Sequence, residues 1–161
     1  DQKPEMSARE ISNAAVKALE QDAYDFMAIN FANADMVAHT GNLKATIKGI
    51  ETIDQCLPLI IKSATSRGGA VLITADHGNA EKLLDLSTGQ IDKEHSNTPV
   101  PCIIISNDLD GKSFGHEISE DLSALEPSGM LSDVAPTILD LLGVEKPSDM
   151  TGQSLMQFGI E

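Results

Sequence analysis

Leu43, Ile47, Ile50, Leu57, Ile61 and Ala64 recur at steps of three, four and seven residues, the spacing that lines one face of an α-helix. This long pattern starts at about Asn42 and predicts a helix whose apolar stripe faces a core. Pro58 falls inside it and lacks a backbone donor, which predicts a kink. Arg67-Gly68-Gly69 predicts its end. Short apolar runs flank the helix: YDFMAIN (residues 24–30) before it and AVLITA (residues 70–75) after it, both read as buried strands. Helices alternating with such runs argue for an α/β layered fold with a largely parallel sheet. In sheets of that kind, ligands gather beyond the carboxyl ends of the strands.

The remaining elements fit the same pattern. Ser7 and Glu10 have capping-box spacing and predict a helix from there to about Glu20. A loop carrying Asn33, Asp35 and His39 is predicted after the first strand. A short helix is predicted after Asn79, then a polar, turn-rich stretch from Ser87 to Asn97. PVPCIIIS (residues 99–106) reads as a third buried strand, with its prolines confined to the start. Residues from about Asn107 to Met130 are rich in Gly, Ser and acids and read as an irregular excursion. SDVAPTILDLLG predicts a last helix, capped by Ser132, with Pro136 near its first turn and Gly143 at its end.

A length of 161 residues suits one domain with a real core, and 41% hydrophobic residues exclude a disordered tail. The balance of 11 Lys+Arg against 25 Asp+Glu gives a net charge of −14. Such a surface repels nucleic acid and anionic lipid, so neither is expected as a partner. It also repels an anionic substrate, so any phosphate site needs its own local positive charge. No apolar run reaches the roughly 20 residues of a membrane helix, and no signal peptide is visible. Cys56 and Cys102 read as buried free thiols of a reducing, cytoplasmic protein.

Three separated stretches carry the chemistry: Asp35 with His39, the pair Asp76-His77, and His95. Each lies beside a predicted strand end. Asp35 and His39 are four apart, so one helical turn puts both on one face. His95 supplies a third ligand, leaving positions open for water or substrate. Adjacent side chains diverge, so Asp76 and His77 suit a second ion beside the first, with Gly78 allowing a sharp turn. The alternative for that dipeptide is structural, with Asp76 capping a helix and His77 packing. Mixed carboxylate and imidazole ligands favour manganese, zinc, cobalt or iron. His116 reads as exposed and without a role, and the methionines as core filler. No serine sits in an activating setting, and no Gly-rich phosphate loop occurs.

The stretches NFANADMVAHTGN, LITADHGNAE, HSNTPVP and LSDVAPTILDLLGVEKPSDMTGQSL resemble the C-terminal part of the cofactor-independent (2,3-bisphosphoglycerate-independent) phosphoglycerate mutases, within the alkaline phosphatase superfamily. The resemblance runs nearly end to end, and is weakest from Asn107 to Gly129. It implies a three-layer α/β/α sandwich with a largely parallel sheet, present as a partial domain. Residues 1–161 then form a single metal-binding domain. The N-terminal segment bearing the nucleophilic serine, and the inserted substrate-binding domain, belong outside it.

It further implies interconversion of 3-phosphoglycerate and 2-phosphoglycerate in glycolysis through a phosphoserine, with two divalent ions, typically Mn2+. Asp35, His39 and His95 match the ligands of one ion. Asp76 and His77 match those of the other, which the family completes with an aspartate and the serine. No catalytic residue is then expected in this chain, which alone is expected to be inactive; the parent enzyme is expected to be monomeric. Competing expectations are another enzyme of the superfamily (phosphopentomutase, phosphatase or sulfatase) and a non-catalytic metal-binding domain.

Overall fold

The computed structural model describes residues 2–85, 88–92, 94–112 and 126–157. His116, Ser87 and most of the predicted excursion lie outside the described residues. The chain divides into two compact units, Asp1–Ile103 and Ile104–Glu161.

The first unit opens with α1, Ala8–Glu20. Ser7 stands at its N-cap, but its side chain makes no capping hydrogen bond, so the predicted start is right and the predicted capping box is not formed. A short helix α2, Asn33–Ala38, replaces the loop predicted for Asp35 and His39. Asn33, almost fully buried, anchors it by donating from Nδ2 to the Pro4 carbonyl at 2.7 Å. Gly41, at φ +68°, ends this turn. The long helix α3 spans Leu43–Thr65. Asn42 caps it by accepting from the Ala45 N–H at 3.1 Å, satisfying one of the orphan donors of the first turn. At its far end Gly68 takes φ +77°, and the Gly69 N–H reaches back to the Ala64 carbonyl at 3.0 Å. That left-handed closure is why the Gly-Gly pair reads as a stop.

The face that α3 buries is not the one its large apolar residues mark. Leu43, Ile47 and Ile50 are exposed, while Ala45, Thr46, Gly49, Thr52, Cys56, Ile60 and Ala64 are buried. The partners explain this. α1 packs on α3 through Ala8, Ser12 and Ala15, and α2 packs on it through Val37 and Ala38. Small residues on both sides let the helices approach closely, and buried hydroxyls find backbone acceptors. Thr52 Oγ1 donates to Lys48 O at 2.8 Å, and Ser12 Oγ to Cys56 O at 3.4 Å.

Val71–Thr74 forms β1 and Cys102–Ile105 forms β2; they pair in a two-stranded sheet. Pro99 and Pro101 precede β2, where a missing donor breaks no ladder. The predicted strand at residues 24–30 is not formed. A strand needs a hydrogen-bonded neighbour, and among the described residues none pairs with this segment; Tyr24 and Phe26 are exposed. After Asn79 the chain makes a turn, with Lys82 N–H to Asn79 O at 3.0 Å, instead of the predicted helix. Cys56 is buried and Cys102 exposed, both free, so the prediction of a buried thiol holds only for Cys56.

The second unit centres on α4, Val134–Leu141, preceded by a 3-10 turn at Leu131–Asp133. Asp133, not Ser132, organises its start. The Asp133 carboxylate accepts from Met130 N at 2.8 Å on one oxygen and from Gln153 N at 2.9 Å on the other, so it ties the helix start to a segment 20 residues on. Gly143, at φ +67°, ends the helix as predicted. Among the described residues, no helix is long and apolar enough to cross a membrane.

Candidate metal centre

Asp35 sits in the first turn of α2 and His39 at its C-cap. One turn of helix therefore aims both at the same point, and His39 Nε2 lies 3.2 Å from Asp35 Oδ1. His95 arrives from a segment 56 residues beyond His39. Its Nε2 lies 3.2 Å from Asp35 Oδ1 and 3.2 Å from His39 Nε2. Three potential ligand atoms thus form a near-equilateral triangle.

The approach of His95 is set by backbone pairing. Gly78 and Ser96 form an isolated antiparallel bridge, with Ser96 N–H to Gly78 O at 2.7 Å. Because side chains alternate along extended backbone, residues 77, 79 and 95 then project to one face. His77 is diagonal to His95 and stacks on it, with ring centroids 3.6 Å apart and planes inclined by 13°. Asn79 stands opposite His95 and donates from Nδ2 to Asp35 Oδ1 at 2.7 Å. The close approach requires glycine, since a Cβ at Gly78 would collide with Ser96 Oγ and a Glu81 carboxylate oxygen. Glu81 clasps the same turn by accepting from Asn79 N at 2.8 Å and from Ser96 Oγ.

Asp76 differs from the other four residues singled out in the sequence. Its side chain is 92% exposed, and its Oδ1 lies 3.7 Å from His77 Nε2. The structure therefore gathers Asp35, His39 and His95 with His77 stacked alongside, and leaves the Asp76 carboxylate pointing to solvent. Sequence reading passed over Asn79 and Glu81. The signal available was their place in DHGNAE, directly after the paired ligand candidates.

Burial would raise the Asp35 carboxyl. The hydrogen bond from Asn79 and the nearby rings of His39, His95 and His77 outweigh it and hold the group below its ordinary value. Glu81 is likewise held low: burial opposes, but the Ser96 hydroxyl and neighbouring backbone N–H groups stabilise its charge. Asp35 is therefore ready as an anion at neutral pH.

The triangle has the dimensions of a metal site. Nitrogen and oxygen ligands lie about 2.0–2.2 Å from a bound transition ion, which places neighbouring ligand atoms roughly 3–3.5 Å apart. The three 3.2 Å separations fit. One carboxylate with two imidazoles also matches the donor sets of first-row transition ions. Among the described residues, Asp35, His39 and His95 are the group whose ligand atoms converge in this way.

Residues 1–146 match the Metalloenzyme superfamily. The chain belongs to that superfamily. Among curated relatives within reach of it, the 2,3-bisphosphoglycerate-independent phosphoglycerate mutase of Ruthia magnifica is 46% identical over 98% of this chain. The protein of the same name from Picosynechococcus is 49% identical over 97% of it. The chain spans 29% of the length of each. Among solved structures, the Leishmania mexicana phosphoglycerate mutase determined at low cobalt concentration superposes with a TM-score of 0.73. It is 34% identical, over 94% of this chain and 28% of that one.

Proposed function

We propose that this chain is the metal-binding part of a phosphoglycerate mutase, one that interconverts 3-phosphoglycerate and 2-phosphoglycerate in glycolysis through a phosphoserine. The observation that carries the reading is the 3.2 Å triangle of Asp35, His39 and His95 in a chain 45–49% identical to mutases of that name. In this reading those three residues hold one divalent ion, and Asp76 and His77 contribute to a second, with manganese as the metal. Divalent ions bound there supply positive charge that neutralises and orients a phosphoryl group. The net charge of −14 makes that local charge necessary, because the bare chain would repel phosphoglycerate.

The chain's own residues have definite tasks. The single turn of α2 fixes Asp35 against His39, and the Gly78–Ser96 bridge delivers His95 and His77 to the same place. Asp76, at a β1 exit and facing solvent, remains available to groups from outside residues 1–161. The covalent step is assigned to a serine beyond this chain. Ser96, next to His95, has its hydroxyl committed to Glu81, which holds the turn and does not present a nucleophile. The whole domain is proposed to be a three-layer, alkaline phosphatase-like α/β/α sandwich of a cytoplasmic, monomeric enzyme, of which residues 1–161 form one part.

Calorimetric titration of Mn2+ into the metal-stripped chain tests the centre, beside an Asp35→Ala, His95→Ala double variant. Binding by the chain that is lost in the variant is the expected result. Equal binding by both would remove the ligand assignment.

A further inference from the structure

Asn79 is 4% exposed, and it donates from Nδ2 to the same Asp35 oxygen that faces His39 Nε2 and His95 Nε2. Its own Oδ1 is buried and, among the described residues, has no hydrogen-bond partner. A buried acceptor without a donor is costly, and native proteins rarely keep one. Turning the amide over would not relieve it, because the oxygen would then face the Asp35 carboxylate. The orientation is therefore forced, and the chain tolerates one orphaned oxygen in order to place one N–H. Such local expense is typical of a functional site.

We propose that Asn79 is a positioning residue for the metal centre: its Nδ2–H locks the Asp35 carboxylate so that Oδ1 stays at the meeting point of the His39 and His95 nitrogens. The inference rests on the reading of that triangle as a metal centre. Without the lock, the Asp35 carboxylate in the first turn of α2 is held only by its contacts to the two imidazoles it must meet, themselves partly exposed. The backbone N–H of Asn79 is itself held by Glu81, and the residue stands across the bridge from His95. One side chain thus ties the α2 ligands to the His95 segment. Hydrogen-bonded supports of this kind commonly change metal affinity 10–100-fold when removed.

Cobalt is the probe, because its visible absorption reports ligand geometry apart from any catalytic activity. Co2+ would be titrated into the metal-stripped chain and into Asn79→Leu, Asn79→Ser and His39→Ala variants, with circular dichroism checking that each folds. The expected result is a dissociation constant raised roughly tenfold to a hundredfold in both Asn79 variants, with shifted absorption bands at saturation. His39→Ala should lose the site. A purely structural Asn79 would lower thermal stability yet leave the saturated spectrum unchanged, and that result overturns the proposal. Wild-type affinity and spectrum in both Asn79 variants, with His39→Ala inactive in binding, also overturns it while leaving the metal centre intact. Failure of the unsubstituted chain to bind Co2+, or unchanged binding by His39→Ala, would instead remove the centre and the proposal with it. Should Asn79→Leu not fold, Asn79→Ser decides the matter, since its shorter side chain withdraws the donor from Asp35 without adding bulk.

Discussion

Gly78 and Ser96 exchange both of their backbone hydrogen bonds, Ser96 N–H to Gly78 O at 2.7 Å and Gly78 N–H to Ser96 O at 3.3 Å. That single pair carries His95 to Asp35 and lays His77 against the His95 ring. A side chain at residue 78 would force the Ser96 and Glu81 side chains of the same turn to shift. A methyl group there would meet Ser96 Oγ and the Glu81 carboxylate, both already held by each other. Gly78→Ala is therefore expected to cost about 1–3 kcal/mol of stability, the usual range for added bulk in a packed site. With the turn disturbed, it should also weaken Mn2+ binding more than a substitution at exposed Asp54 does. Urea unfolding and calorimetry on the same two variants would check this, and equal metal affinity in both would refute it.

Metal affinity should depend on pH through the imidazoles. A histidine must be neutral to offer its nitrogen, so protons compete with the ion as pH falls. Asp35, held below its usual value, does not contribute to that loss until far more acid conditions. Mn2+ affinity is thus expected to drop by at least tenfold between about pH 8 and pH 5.5. A flat profile across that window, measured by calorimetry, would count against ligation by His39 and His95.

The Asp133 carboxylate is held low by the backbone N–H groups of Gln153 and Met130, which outweigh its slight burial. A depressed folded-state value means the contribution is present above the unfolded value of about 3.9 and is lost as pH falls through the folded one. Asp133→Asn should therefore destabilise the chain by about 1 kcal/mol near neutrality, with the solvent-accessible setting keeping the effect small. The difference from the unsubstituted chain should shrink steadily below pH 4. Thermal melts at pH 7 and pH 3 measure both parts, and a constant difference would contradict this account.

Residues 1–161 alone should not convert 3-phosphoglycerate. Ser96, the serine beside His95, has its hydroxyl tied to Glu81, and covalent transfer needs a free, activated hydroxyl. Phosphorus NMR of 3-phosphoglycerate with the Mn2+-supplemented chain should show no 2-phosphoglycerate signal. Turnover that survives Asp35→Ala would point to contamination, whereas turnover abolished by it would place a nucleophile within the chain.

Helix positions were legible in the sequence where the signal is local. The period of α3, its start at about Asn42 and the stops at Gly68 and Gly143 depend on neighbours within about one turn, so the chain declares them without help. Asp35 and His39 belong to the same class, since a four-residue spacing within one turn suffices to join them. Tertiary structure decided what depends on a distant partner. Residues 24–30 have strand composition yet make no strand, because a ladder requires a second chain segment beside the first. α3 buries Ala45, Thr46, Gly49 and Thr52 and leaves Ile47 and Ile50 exposed, because the helices packed on it set which face is covered. Asp76 and His77 are adjacent in sequence, but the pairing of Gly78 with Ser96 turns one ring toward the centre while the neighbouring carboxylate stays in solvent. Spacing determined which donors this chain owns; only a long-range backbone pair, with the Asn79 amide it brings to Asp35, decided which of them meet.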